Sequence, residues 1–196
     1  MKRVLLVLCK GVEIYEAAAF YDVLGWSGAF GTEAVEVVTT GLQDEVEATF
    51  GLRIIPDALL SDISVEDFDA LAIPGGFEAY GYYDDAYSEG VAALIRHFES
   101  SHKPIAAICV GALPLANSGI LRGRQATTYP LREGLRRKQL AGFGVHVVDR
   151  PIVHDGNITT STSPATAMEV AFSLLAELTS QENAEQIRSM MGFEGD

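Results

Sequence analysis

The sequence lacks the features that mark several specialised classes of protein. Among its 196 residues it has only two cysteines, Cys9 and Cys109, which are too few for a disulfide scaffold. Neither cysteine belongs to a spacing that is typical of zinc sites, so we expect no metal site. The chain also has no run of about 18 apolar residues and no segment that resembles a signal peptide. We therefore expect a soluble, cytoplasmic protein that does not bind membranes.

Positive charge is scarce as well. The chain has 14 Lys and Arg against 27 Asp and Glu, a net charge of −13 and a pI of about 4.6. Such a surface repels a phosphate backbone, so we expect no nucleic-acid partner. The basic cluster of Arg132, Arg136, Arg137 and Lys138 could attract anions, but we interpret it as a solvated helix face. Hydrophobic residues make up 48% of the chain, and we expect a single domain over residues 1–196.

Short apolar runs alternate with segments of helical periodicity along the chain. The runs predict strands at 3–8, 35–39, 53–55, 70–73, 104–109, 126–128, 145–148, 152–153 and 158–160, with a hairpin or loop at 43–49. Helices are predicted at 14–26 with Gly28 beyond the end, and at 85–98, 110–117, 131–140, 165–178 and 182–191. This alternation is typical of an α/β, doubly wound sandwich, in which a mostly parallel sheet has helices on both faces.

Cys109 lies where a predicted strand turns into a predicted helix. Small residues two positions before and after it, Ala107 and Gly111, allow a tight turn that resembles the nucleophile elbow of α/β enzymes. Such a turn holds its side chain at the positive end of a helix, where the pKa of a thiol is lowered. A buried core cysteine fits the same residues equally well. Cys9, at the end of the first strand, is interpreted as part of the core.

The carboxyl ends of two other predicted strands carry candidate residues, and ligand sites of open parallel sheets lie beyond such ends. Gly75 and Gly76 could form an ordinary turn, or their backbone N–H groups could stabilise an oxyanion beside Cys109. Glu13 and Glu16 could simply favour the N-terminus of a helix. A buried Glu16 carboxyl would instead stay protonated and donate a hydrogen bond to the sulfur.

Four segments, in order along nearly the whole chain, carry a resemblance to a known family. They are RVLLVLCKGVEIYE, ALAIPGG, KPIAAICVGALPLANSGILRGRQATTYP and TSTSPATAMEVAFSLLAEL. Together they resemble the ThiJ/PfpI superfamily, and within it the branch of the parkinsonism-associated stress protein and its bacterial relatives. Members of this branch are described as protein deglycases or glyoxalase III-like enzymes.

The resemblance implies a flavodoxin-like fold, usually as a homodimer, with Cys109 as the reactive cysteine and Glu16 as its protonated neighbour. It also implies oxyanion-binding amides at Gly75, Gly76 and Val110. The implied chemistry is cofactor-free conversion of a small carbonyl substrate such as methylglyoxal, or deglycation of early glycation adducts. Other roles known in the family are peroxide sensing through a cysteine sulfinic acid and chaperone activity.

Tyr129 departs from the family pattern, since several members have a histidine at this position. Tyrosine has an ordinary pKa of about 10, so it is a poor base at neutral pH, although it can donate a hydrogen bond. A peptidase or amidase would need a histidine beside Cys109, and none follows the elbow closely. Isonitrile hydration, the reaction of a related branch, fits the flanking segments less well than carbonyl chemistry does.

Overall fold

The structure is a computed structural model that describes residues 1–193, and it is built around a central sheet. Residues 194–196 of the predicted domain lie outside the described part. In chain order the strands of the described residues are β1 (Lys2–Val7), β2 (Val35–Gly41), β3 (Val46–Glu47), β4 (Arg53–Ile54), β5 (Ala58–Leu59), β6 (Ala70–Ile73), β7 (Ile105–Ala107), β8 (Gln125–Ala126), β9 (His146–Val147), β10 (Ile152–Asp155) and β11 (Ile158–Ser161). Within residues 1–193, seven of them form the main sheet in the order β10-β11-β7-β6-β1-β2-β5. The strand pairs β3–β4 and β8–β9 lie apart from it.

The order of the strands creates a switch point beside β1. From β1 the chain adds β2 and β5 on one side, and it then returns to add β6, β7 and β11 on the other. These neighbours pair in parallel, whereas β10 pairs antiparallel with β11. The apolar side chains of β1 from Val4 to Val7 are buried, as expected for a strand covered on both faces. Parallel sheets bind ligands at such a switch point, so β1 and β6 mark the expected site.

Helices cover both faces of the sheet, as the alternating pattern predicts. Within the described residues they are α1 (Ile14–Phe30), α2 (Tyr82–Ala86), α3 (Glu89–Ser100), α4 (Ala112–Asn117), α5 (Leu135–Gly142), α6 (Ala167–Leu178) and α7 (Gln181–Met190). α1, α6 and α7 pack together, while α3 packs on β6 and β7 and contacts α4. The predicted doubly wound α/β fold is therefore confirmed. Over residues 1–193, no helix combines the length and apolar character needed to cross a membrane.

Two helices differ from their predicted bounds for local steric and capping reasons. The first helix was expected to end before Gly28, but α1 continues to Phe30. A Cβ at Gly28 would lie 2.6 Å from the Val35 carbonyl oxygen, so this glycine lets the last helical turn approach β2. The helix predicted at 85–98 is divided into α2 and α3. Ser88 caps the second piece, since its hydroxyl accepts a hydrogen bond from the Val91 N–H at 3.3 Å.

The segment after Cys109 also departs from the prediction. The strand predicted at 126–128 is limited to β8, which pairs with β9 instead of joining the main sheet. The helix predicted at 131–140 begins only at Leu135, because three successive residues have left-handed φ angles, 55° at Arg132, 57° at Glu133 and 69° at Gly134. This left-handed turn directs residues 129–134 over the carboxyl edge of the sheet instead of into a helix.

Asn183 on α7 connects this helix to the end of α1. Its side chain is fully buried, and its amide nitrogen donates hydrogen bonds to Ser27 Oγ at 3.1 Å, to the Glu33 carbonyl at 3.1 Å and to Thr179 Oγ1 at 3.0 Å. Its Oδ1 accepts from Thr32 Oγ1 at 3.2 Å and from the Glu33 N–H at 3.3 Å. One fully buried side chain therefore links the end of α1, the α1–β2 loop and the end of α6 through five hydrogen bonds.

We expect Asn183→Ala to lower the free energy of unfolding by about 2–3 kcal/mol, because it removes the hydrogen bonds of a fully buried amide that joins three segments. Urea denaturation followed by circular dichroism measures this change. The matched control is Asn117→Ala at the exposed end of α4, which should change stability by about 0.5 kcal/mol or less. Equal effects of the two substitutions would contradict the proposed importance of the buried amide.

Candidate functional site

The candidate site lies at the carboxyl edge of the sheet, where three chain segments meet. Glu16 is in the first turn of α1, Gly75 and Gly76 follow β6, and Cys109 follows β7. Because β1, β6 and β7 are parallel neighbours, their carboxyl ends lie side by side. The structure thus brings together residues that are far apart in sequence, as the carboxyl-end rule predicts.

Cys109 occupies a strained backbone position. Its φ is 57°, which is uncommon for a residue other than glycine, and residues 109–111 form a 3₁₀ turn that leads into α4. A Cβ at Gly111 would lie 2.6 Å from the Ile73 carbonyl oxygen, so the turn requires a glycine there. Thr128, which sequence analysis did not select, donates from Oγ1 to the Cys109 carbonyl at 2.8 Å. The expected elbow geometry is therefore present, and a buried threonine helps to hold it.

The Glu16 carboxyl is buried beside the thiol. It has no exposed surface, and its Oε2 accepts a hydrogen bond from the Gly75 N–H at 2.6 Å. Its Oε1 has no nitrogen or oxygen partner among the described residues, and the carboxyl interacts with the Cys109 side chain. Glu13 serves as the N-cap of α1, and its backbone N–H donates to the Gly75 carbonyl at 2.9 Å. The N–H and the carbonyl of Gly75 thus both form hydrogen bonds with the start of α1, the first with Glu16 and the second with Glu13.

Burial has the largest effect on the pKa values of both the Glu16 carboxyl and the Cys109 thiol. It raises the pKa of Glu16 to about 8, although the Gly75 N–H acts in the opposite direction. Burial also raises the pKa of the Cys109 thiol, and the negative charge of Glu16 raises it further, whereas the Val110 N–H lowers it. The expectation that the elbow lowers the thiol pKa is therefore wrong, because burial outweighs the helix N-terminus. The charge of Glu16 raises the pKa of the thiol, whereas the hydrogen bond of the Cys109 side chain lowers the pKa of Glu16, so the two groups titrate as a pair.

The three predicted oxyanion-binding amides are in different situations. The Gly75 N–H is bonded to Glu16, so it is not available to a substrate oxygen. The Val110 N–H interacts with the Cys109 sulfur, and both Gly76 and Val110 line the open space beside that sulfur. Of the three residues, Gly76 and Val110 therefore line the cavity, while the N–H of Gly75 orients Glu16 instead.

A cavity of about 430 Å³ opens beside Cys109. It is lined by Glu13, Glu16, Gly76, Phe77, Glu78, Ala79, Cys109, Val110, Tyr129, Arg132, Arg136 and Pro164. Tyr129 lies in this wall, and none of the four histidines of the described residues is part of it. Arg132 and Arg136 were assigned to a solvated helix face, but both line the cavity. The signal that could have found them is their closeness in sequence to Tyr129.

Arg136 is held in place on one side of the cavity. Its Nη2 donates to Glu78 Oε2 at 2.6 Å, and its guanidinium lies 5.2 Å from the centre of the Tyr83 ring. Within residues 1–193 there is no group of three His, Cys, Asp or Glu side chains arranged to hold a metal ion. The groups that can act on a bound molecule are therefore the thiol, the Glu16 carboxyl, the backbone amides, Tyr129 and the two arginines.

Comparison with known proteins assigns the family. The model of the DJ-1/PfpI family matches residues 2–177 of the chain. The protein dj-1beta of Drosophila melanogaster is 31% identical to this chain over 188 residues, which cover 95% of this chain and 94% of dj-1beta. The chain belongs to the DJ-1/PfpI family. A Danio rerio relative, the Parkinson disease protein 7 homolog, is 31% identical over 189 residues, covering 96% of this chain and 95% of its own.

Solved structures place the chain in the DJ-1 branch of this family. The crystal structure of Drosophila melanogaster DJ-1beta has a TM-score of 0.87 and 30% identity, and the match covers 99% of each chain. Toxoplasma gondii DJ-1, solved in an oxidised form, has a TM-score of 0.83 and 26% identity, with both chains covered completely. The resemblance found in the sequence is therefore confirmed, as is the flavodoxin-like fold that it implied.

The raised pKa of Glu16 predicts how stability depends on pH. Between its ordinary value of 4.5 and the folded value of about 8, the folded chain binds a proton that the unfolded chain releases. The free energy of unfolding should therefore fall as the pH rises through this range. Glu16→Gln should remove this part of the pH dependence, which amounts to several kcal/mol because one pKa unit corresponds to about 1.4 kcal/mol.

Urea denaturation of both proteins at pH 5 and pH 8 measures the difference. An exposed carboxyl provides the matched control, and Glu182→Gln on α7 should retain the pH dependence of the original chain. If Glu16→Gln and the original chain lose equal stability between these two pH values, Glu16 does not carry a raised pKa.

Proposed function

We propose that this chain is a cytoplasmic, cysteine-dependent stress-response protein that acts on reactive carbonyl compounds without a cofactor. Cys109 is the nucleophile and Glu16 is its acid–base partner. The observation that carries the proposal is the buried Glu16 carboxyl beside a strained elbow cysteine, at the edge of an open cavity. The DJ-1 relatives support a DJ-1-like stress protein in the wider sense.

The first step is addition of Cys109 Sγ, after loss of the thiol proton to water, to the aldehyde carbon of an α-oxoaldehyde such as methylglyoxal. The carbonyl oxygen gains the negative charge, and the N–H groups of Gly76 and Val110 stabilise it. Glu16, which burial keeps neutral below about pH 8, then gives its proton to this oxygen to form a hemithioacetal. A neutral Glu16 also keeps a second negative charge away from the sulfur before the attack.

The second step transfers a proton between the two substrate carbons. Glu16, now a carboxylate, takes the proton of the first carbon and returns it to the second, while the hydroxyl proton on the first carbon passes to the oxygen of the second, which produces a thioester of lactate. Water then hydrolyses the thioester and releases lactate and the free thiol, so methylglyoxal and one water give one lactate. Tyr129 in the cavity wall can donate a hydrogen bond to the second carbonyl oxygen. A cavity of about 430 Å³ also leaves room for the larger adducts of a deglycase reaction.

We expect Cys109→Ala to reduce methylglyoxal consumption to the uncatalysed rate, and Glu16→Gln to reduce kcat by about 100-fold or more. The first change removes the nucleophile, and the second removes the group that carries the proton. Lactate formation, followed by an enzymatic assay, is the measurement. Cys9→Ala is the matched control, because Cys9 is buried in the core and should be dispensable. Unchanged turnover in both site variants would exclude this mechanism.

A peroxide-sensing role, with or without chaperone activity, is the second candidate. Toxoplasma gondii DJ-1 has been solved in an oxidised form, which supports this reading for a related protein. Two equivalents of peroxide oxidise a thiolate first to a sulfenate and then to a sulfinate, with release of water in each step. A protonated Glu16 can donate a hydrogen bond to the sulfinate. Intact-mass analysis should then show addition of two oxygens at Cys109 with negligible carbonyl turnover, whereas equal oxidation of Cys9 would count against sensing.

The proposed assembly is a homodimer, as is usual in the family. Support comes from exposed apolar side chains on α1 and the β3–β4 hairpin with its following loop, namely Tyr21, Leu52 and Ile55. Ile55 is 78% exposed, and these residues surround an apolar groove on one side of the molecule. Burial of such a surface against a second copy would remove it from water.

The double substitution Tyr21→Glu and Ile55→Glu should convert the dimer to a monomer, because it places two carboxylates in the apolar contact. Light scattering after size-exclusion chromatography gives the molar mass directly. Met190→Glu, at an exposed position on α7, is the control and should leave the dimer intact. A monomer in the original chain would rule out the proposed assembly.

A further inference from the structure

Tyr82 is a fully buried side chain that the proposed reaction does not use. It lies at the start of α2, and its hydroxyl donates a hydrogen bond of 2.7 Å to the Pro74 carbonyl oxygen. Its ring packs against Gly76 so closely that a Cβ at this glycine would lie 2.2 Å from the ring atom Cδ2. Tyr82 therefore packs against the turn after β6, and it is not among the residues that line the cavity.

The Pro74 carbonyl and the Gly75 N–H belong to the same peptide unit. The hydroxyl of Tyr82 donates to the oxygen of this unit, and its N–H donates to Glu16 Oε2 at 2.6 Å. The result is a continuous chain from the tyrosine O–H through the peptide to the carboxyl. Hydrogen bonds in such a chain polarise one another, because a bond to the carbonyl oxygen makes the N–H of the same peptide a stronger donor.

We propose that Tyr82 is a positioning residue of this site, and that it holds the Gly75 N–H on the Glu16 carboxyl through the Pro74–Gly75 peptide. The inference rests on the proposed role of the Cys109–Glu16 pair, but it concerns a residue outside the cavity wall. The hydroxyl stays protonated because burial raises the pKa of Tyr82 well above its ordinary value. It therefore remains a donor over the whole pH range in which Glu16 titrates.

The peptide is also confined on its other side. A Cβ at Gly75 would lie 3.0 Å from both the Ile108 carbonyl oxygen and the Val110 nitrogen, so the turn is packed directly against the elbow. Contact with the Tyr82 ring on one side and with the elbow on the other leaves the peptide little room to rotate. Loss of the tyrosine hydroxyl removes its hydrogen bond to the Pro74 carbonyl oxygen, which fixes the direction of this carbonyl.

The direction of the expected effect follows from the ionisation of the pair. The Gly75 N–H stabilises the Glu16 carboxylate, so weakening this bond raises the pKa of Glu16 further. The midpoint of the first ionisation step of the Cys109–Glu16 pair then moves to higher pH. The other titratable or charged groups near the pair are Glu13 at the start of α1 and Tyr83 on α2. Across the cavity they are Glu78, Tyr129, Arg132 and Arg136. None of these is altered by substitution of Tyr82.

The test is the pH profile of Cys109 alkylation by iodoacetamide, with modification at each cysteine quantified by peptide mass spectrometry. We expect the original chain to show a first midpoint near pH 8, set by Glu16. Tyr82→Phe should raise this midpoint by about 0.5 to 1 unit, since it weakens one hydrogen bond to a charged group. The matched control is Tyr83→Phe, because the neighbouring Tyr83 hydroxyl is buried with no hydrogen-bond partner among the described residues. It should leave the midpoint unchanged.

A second variant keeps the test informative if Tyr82→Phe does not fold. 3-Fluorotyrosine placed at position 82 alone keeps the ring and hydroxyl but makes the hydroxyl a stronger donor, so the midpoint should move to lower pH. A profile that matches the original chain in whichever variant folds, or an equal shift in Tyr83→Phe, would overturn the proposal. Alkylation does not require turnover, so absence of carbonyl chemistry would refute the proposed function and leave this result unaffected.

Discussion

The hydrogen bond from the Gly75 N–H to the Glu16 carboxyl is the interaction on which the candidate site depends. A carboxyl with no exposed surface is stable in a folded protein only when it is neutral or well bonded, and here both conditions contribute. The bond connects the start of α1 to the turn after β6 across the switch point of the sheet. Because that turn is packed against the elbow, the same contact determines how the acid meets the Cys109 thiol.

Burial gives this pair its chemical character. A helix N-terminus would favour a thiolate in an exposed cysteine, but at 9% exposure Cys109 is influenced more strongly by the loss of water than by the amide of Val110. In the proposed function, the sharing of protons between sulfur and carboxyl controls the reactivity of the site. A pair buried in this way can be reached only by molecules that enter the cavity, which agrees with the proposed carbonyl substrates.

Much of the arrangement could be predicted from the sequence because it depends on local rules. Apolar runs indicated β1, β6 and β7, and the carboxyl-end rule together with the family resemblance selected Glu16, Gly75, Gly76 and Cys109. Contacts between distant segments could not be read in this way. The hydroxyl of Thr128 on the Cys109 carbonyl, the support of Gly76 by Tyr82 and the position of Arg136 in the cavity wall all depend on packing that periodicity does not contain. The left-handed turn at residues 132–134 belongs to the same class, because no glycine marks its first two positions.

The burial of the second cysteine, Cys9, makes it a measure of local opening of the sheet. Cys9 follows β1 in the middle of the sheet with 2% of its surface exposed, and burial raises the pKa of its thiol. A thiol reagent can reach it only when this part of the sheet opens, so its modification rate reports how often that opening occurs. Modification of Cys9 therefore measures local opening of the sheet, and it can be followed in the same reaction as modification of Cys109 at the cavity.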